Sequence, residues 1–169
     1  RQGYSARQDL GGGVVLTLCH PLDYLRWLFG DVQKLWAFTA QSSDLELPVE
    51  DTAEIGLRFK NGMTGTVHLD YCQQPASHRL EIIGTQGTIR WDNADGIVKI
   101  SNGQAWQEFP PPENFDRNDL FRSQMQHFVE VVNGTVDPIC SLNDGIKALE
   151  LALAVHESSL QEKIIRLAV

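Results

Sequence analysis

The sequence predicts an α+β fold: a mainly antiparallel sheet of about six or seven strands with helices packed on one face. Three observations carry that expectation. An amphipathic helical segment lies near the start, short segments of period two fill the middle, and two further helical segments close the chain. Helix, then strands, then helices is the order of α+β proteins, whereas a parallel sheet needs strands and helices in alternation. The 169 residues suit a single domain. A chain of this size buries a core without disulfide staples.

The first helical segment runs from Gly13 to Phe29, with Leu18, Leu22, Leu25 and Phe29 in one apolar stripe and Gly30 as a stop. Pro21 cannot donate to the carbonyl of Thr17, so the helix either kinks there or restarts with Pro21 at its first position. "VQKLWAF" (Val32 to Phe38) then reads as a strand, followed by Thr52 to Phe59 and Met63 to Tyr71 around Lys60-Asn61-Gly62. A three-residue loop pairs Phe59 with Met63, Leu57 with Gly65, Ile55 with Val67 and Ala53 with Leu69, all on one face. A two-residue loop would shift one strand by a residue and mix the faces. The opposite face carries Thr52, Glu54, Arg58, Thr64, Thr66, His68 and Asp70.

Arg79 to Trp91 gives two strands around a Gly84-to-Gly87 turn, and Ile97 to Ser101 and Ala105 to Phe109 follow Asp-Gly and Asn-Gly turns. Pro110 to Pro112 end the strands. In the next helix Phe121, Met125, Phe128 and Val132 form a stripe that Gly134 terminates. Ser141 and Asp144 open the last helix, along which Ile146, Leu149, Leu153, His156 and Leu160 line one side. "KIIRLAV" reads as a final strand. The four tryptophans, Trp27, Trp36, Trp91 and Trp106, read as core or interface residues.

A net charge of −8 argues against nucleic acid, which needs a basic face, and against anionic membrane surfaces. The apolar run from Val14 to Phe29 is interrupted by Thr17, His20, Pro21, Asp23 and Arg26, short of the roughly 18 to 20 apolar residues of a membrane span. Cys19, Cys72 and Cys140 are isolated, which points to a reducing compartment and to neither disulfides nor zinc. The opening "RQGYSARQDL" has no signal-peptide pattern and no initiator Met. We therefore expect a cytoplasmic protein and an internal start. The chain has no GxGxxG after a strand, no P-loop, and no GxSxG or HExxH pattern. Gly11 to Gly13 precede a helix but follow no strand, so they are not expected to cradle a phosphate.

The stretch "LGGGVVLTLCHPLDYLRWLFGDV" resembles the C-terminal domain of the Gfo/Idh/MocA family of NAD(P)-dependent sugar and cyclitol oxidoreductases. The resemblance rests on the glycines, His20, Asp23 three residues later, and Gly30. It extends through "EDTAEIGLRFKNGMTGTVHLDY", "LEIIGTQGTIRWD", "FRSQMQHFVEVVNG" and Asp144-Gly145, in order along the whole chain. It implies that residues 1–169 form one substrate-binding and oligomerisation domain, normally following a Rossmann domain that holds NAD or NADP. That Rossmann half is not in this sequence. No cofactor binding and no activity are expected of this chain alone, and no metal.

Oxidising an alcohol needs a base for the hydroxyl proton, and histidine, with a reference pKa of about 6.5, suits that task. Taken alone, His20 reads as a helix cap before Pro21, since a lone histidine is usually structural. The resemblance implies that His20 is catalytic. Thr17 and Asp23 beside it, with Tyr71 and Arg79, which flank the Gln73-to-Ser77 loop, are the expected substrate-binding residues for a sugar or polyol; a helix-dipole role for Asp23, and sheet packing or solvation for Tyr71 and Arg79, are the alternatives. Thr17 stands where the family carries an Asp and cannot titrate near neutral pH, so it offers a sugar only a hydroxyl. A non-catalytic binding or scaffolding domain that retained the fold is the competing expectation. The resemblance further implies a homo-oligomer built through the open sheet face. His68 reads as a cross-strand partner of Glu54, and His127 and His156 as structural helix residues.

Overall fold

The structure, a computed structural model, describes residues 3–167. Two single-turn 3-10 helices precede α1 (Val14–Thr17) and α2 (His20–Phe29). The strands β1 (Val32–Ala40), β2 (Thr52–Phe59), β3 (Thr64–Asp70), β4 (Arg79–Gly84), β5 (Gly87–Asp92), β6 (Val98–Ser101) and β7 (Trp106–Phe109) follow. Then come α3 (Arg117–Val132), α4 (Leu142–Gln161) and β8 (Ile165–Arg166). The expected α+β architecture is present. Its strands divide into two antiparallel sheets of four, ordered β3-β2-β1-β8 and β4-β5-β6-β7. They belong to two compact units, Arg1–Cys72 with Cys140–Val169, and Gln73–Ile139.

In the first unit, Leu35, Ala37, Ala53, Ile55, Leu57, Phe59, Val67 and Leu69 alternate onto one buried face of the sheet. Helices α1 and α4 lie against that sheet, and α2 packs on α4. Leu22 and Leu25 of the α2 stripe are buried, and Phe29 meets Phe59 edge-on at 5.7 Å. The hairpin follows the expected register, with Ala53 opposite Leu69, Ile55 opposite Val67 and Leu57 opposite Gly65. Phe59 N–H donates to the Met63 carbonyl across the three-residue loop, where Gly62 takes φ +90°. Asn61 ties that loop to the Phe29 carbonyl at the end of α2.

The last helix turns a different face inward from the one its largest side chains mark. Ile146, Leu149, Leu153 and Leu160 are exposed, while Leu151, Ala152, Ala154, Val155 and Ser158 are buried. Close approach to β1 favours small residues there. β8 pairs with β1 at Lys34 and Leu35, and Leu167 N–H donates to the Gln33 carbonyl at 3.0 Å. Further along that edge, Ser158 accepts from Ala37 N–H at 2.9 Å and Ser159 from Thr39 N–H at 2.9 Å, so helix hydroxyls replace a missing strand. Ser141 and Asp144 form the capping box that opens α4.

The second unit holds a four-stranded meander. One face aligns Leu80, Trp91, Val98 and Phe109, with Ile82, Ile89 and Ile100 in the next row. The other carries cross-strand ion pairs: Arg79 with Asp92 at 2.7 Å, Arg90 with Glu81 at 2.8 Å and Lys99 with Glu108 at 2.7 Å. The Arg90 guanidinium lies 4.7 Å from the Trp106 ring centre. The α3 stripe of Phe121, Met125, Phe128 and Val132 is exposed. Trp27, Trp36 and Trp106 are exposed and Trp91 is half-buried, so none of the four tryptophans is a core residue. Trp27 lies on a helix exterior, Trp36 and Trp106 on the polar strand faces, and Trp91 on the apolar face of the second sheet beside Leu80 and Val98.

Candidate functional site

The glycine triplet shapes the site by letting other groups come close. A Cβ on Gly12 would lie 2.7 Å from the backbone of Ser5 and Arg7. One on Gly13, which adopts φ +109°, would lie 2.3 Å from the Glu50 carboxylate. The chain then enters α1, whose Val14 and Val15 are fully buried. Val14 N–H donates to the Glu50 carbonyl at 3.0 Å and Val15 N–H to the Glu50 Oε1 at 3.2 Å. His156 of α4 places Nε2 3.7 Å from the same oxygen.

Thr17 and Tyr71, far apart in sequence, meet here. The Thr17 hydroxyl donates to the Gly13 carbonyl at 2.6 Å and is hydrogen-bonded to the Tyr71 phenol. With the threonine proton committed to Gly13, Tyr71 is the donor of that pair, and both oxygens keep lone pairs. Burial pushes the Tyr71 phenol up from its ordinary value, and the charge of Glu50 adds to that effect against the opposing Thr17 bond. Tyr71 therefore stays protonated throughout the neutral range.

The helix breaks at Leu18 and Cys19 and restarts at His20 with Pro21 next. Cys19 occupies the cap position and makes no side-chain cap bond, so His20 is not the cap. His20 opens α2 as an exposed residue, and half-buried Asp23 follows in the same turn. Helical spacing thus relates His20 to Asp23 but does not continue back to Thr17. Arg79 lies in the second unit, is largely exposed, and pairs with Asp92. The structure brings Thr17 and Tyr71 into contact and His20 and Asp23 into one turn.

The sequence does not single out several residues here as site residues. Glu50 and its neighbour Asp51 precede β2 and open the stretch EDTAEIGLRF, which carries the family resemblance but assigns neither residue a role. Asp51 is buried; burial opposes its ionisation, yet the Ser43 hydroxyl, the Ser42 and Ser43 N–H groups and the Thr52 hydroxyl hold its carboxyl below the usual range. At the far end of α2, Asp31 collects Arg26, Lys60 and Lys147, and Arg26 also reaches Asp144. These pairs fix the C-terminal end of α2.

On the open face of the first sheet, Trp36 covers Gly56 and packs edge-on to Phe38 at 5.2 Å. His68 bridges Glu54 at 2.6 Å and Asp70 at 3.0 Å, as its cross-strand position predicts. The Glu54 bond, with Asp70 assisting, raises its pKa.

The triplet does not fit a dinucleotide. A phosphate needs free N–H groups, but the Val14 and Val15 donors are taken by Glu50, whose carboxylate would repel the anion. Among the described residues no group of three or more His, Cys, Asp or Glu is placed to hold a metal ion. No helix among them is long and apolar enough to cross a membrane.

Residues 4–167 match the C-terminal alpha/beta domain of the Gfo/Idh/MocA oxidoreductase family. The chain belongs to that family. It is 28% identical to the D-apiose dehydrogenase of Paraburkholderia graminis over 162 residues, which cover 88% of this chain and 43% of that enzyme. Against curated relatives of this kind the chain spans less than half their length. Its fold is that of a levoglucosan dehydrogenase solved with NADH and levoglucosan, at a TM-score of 0.88 and 16% identity, covering 99% of this chain and 54% of that one. An aldose-aldose oxidoreductase of Caulobacter crescentus, complexed with glycerol, gives a TM-score of 0.84 at 22% identity, covering 98% of this chain and 51% of that one.

Proposed function

We propose that residues 1–169 act as the substrate-binding and oligomerisation domain of a longer NAD(P)-dependent oxidoreductase, one that interconverts a sugar or cyclitol hydroxyl and its ketone. The observation that carries this reading is His20, exposed at the helix restart of a family domain whose relatives include a sugar dehydrogenase. The nicotinamide, held by a part of the protein outside this chain, supplies the hydride chemistry. His20 takes the proton from the reacting hydroxyl, and Asp23, one turn along, orients the imidazolium or the substrate. Thr17 and Tyr71 offer hydroxyl oxygens to neighbouring hydroxyls of a polyol. Arg79, the further substrate contact expected from the sequence, is paired with Asp92 within the second unit.

Self-association follows through the open sheet face, where Trp36 and Phe38 are exposed beside Glu54, Arg58 and His68. The three free cysteines support a cytoplasmic setting. The engaged Thr17 hydroxyl in place of a carboxylate is the observation favouring a non-catalytic binding domain instead.

The test is oxidation of a panel of sugars and cyclitols by the intact protein, followed by NAD(P)H absorbance. Turnover of at least one polyol is expected. Saturable polyol binding without cofactor reduction would favour the binding domain.

A further inference from the structure

We infer that Glu50 is a positioning residue for His20, acting by locking the N-terminal turn of α1. The inference rests on the role proposed for His20. Glu50 meets the start of α1, the glycine triplet and α4. Its carbonyl and its Oε1 accept the first two N–H groups of α1, its carboxylate fills the space left by Gly13, and it faces His156 of α4 at 3.7 Å. Glu50 itself is well shielded, its side chain 15% exposed.

The consequence runs along a short path. Val14 and Val15 are immobilised in the core, and Thr17 is held at its other side by Gly13 and Tyr71. Only Leu18 and Cys19 separate that fixed turn from His20. Two residues reach no further than about 7 Å, so the placement of α1 limits where α2 and its imidazole start. Losing the Glu50 carboxylate frees Val15 N–H and leaves a void beside Gly13. The short helix, a single turn with little stability of its own, then frays. The glycine is explained in the same way: it makes room for the carboxylate that fixes the turn.

Two variants separate positioning from general stability. Glu50→Gln keeps an acceptor for Val15 N–H, and Glu50→Ala removes it. In the 169-residue chain, amide hydrogen exchange of Val14 to Leu18 is expected to accelerate about tenfold in Glu50→Ala and less than about threefold in Glu50→Gln. The amides of Ile55 and Val155 keep their rates. In the intact protein, kcat for polyol oxidation falls about tenfold in Glu50→Ala with KM within about twofold, and Glu50→Gln restores most of it. Uniform acceleration at all amides, or none at Val14 to Leu18, would overturn the inference. So would full kcat in Glu50→Ala where His20→Ala is inactive. Full turnover in His20→Ala sinks the role of the histidine instead, while hydrogen exchange still decides whether Glu50 locks the turn.

Discussion

The two sheets have the same strand number and the same antiparallel pairing, yet they are held together differently. β1 to β3 present an alternating apolar face that helices seal, with Ile55 at 1% and Ala53 at 0% exposure. In β4 to β7 every residue is at least partly exposed, and the outer face is laced by Arg79–Asp92, Glu81–Arg90 and Lys99–Glu108. Apolar burial contributes roughly 25 cal/mol per Å2. Exposed ion pairs contribute about 0 to 1 kcal/mol each. The first sheet is therefore the rigid platform, and the Thr17–Tyr71 contact and the His20 restart are both built from the unit that contains it.

The largest expected effect comes from emptying the two sheets at matched positions. Ile55→Ala should cost about 3 to 4 kcal/mol by chemical denaturation, because the cavity lies under packed helices. Ile82→Ala, half-buried in the second sheet, should cost about 1 kcal/mol. Equal losses would erase the distinction.

A smaller effect separates the carboxylates. Asp51, buried and held ionised by four donors, contributes stability that is present above its unfolded pKa of about 3.9 and is lost as pH falls through its lower folded value. Asp51→Asn should cost about 2 kcal/mol near neutral pH and flatten the acid limb of the stability curve below about pH 4. Asp92, whose pKa is also lowered, by Ala94 N–H and then by Arg79, sits in the exposed ladder, and Asp92→Asn should change the same curve less. A larger change at Asp92 than at Asp51 would reverse the comparison.

Much of the first unit is legible in its sequence. Period-two alternation and the Lys60-Asn61-Gly62 loop are local signals, and together they set the hairpin register. The inward face of α4 is not legible in that way. Hydrophobic size points to Leu149 and Leu153, whereas packing against β1 demands Ala152, Val155 and Ser158. Of the site, His20 stands out as a lone histidine before a proline. Glu50 does not, because its partners Val15 and His156 are 35 and 106 residues away and no spacing rule joins them. The division of the strands into two sheets is equally hidden: it falls between Asp70 and Arg79, where the sequence offers only another loop in what reads as one meander.

The central claim is that the restart at His20 presents the base for a substrate hydroxyl. The most direct measurement is kcat of the intact protein with His20→Ala on whichever polyol it oxidises. We predict a loss of about 100-fold or more with the folded state retained. Unchanged turnover would contradict it.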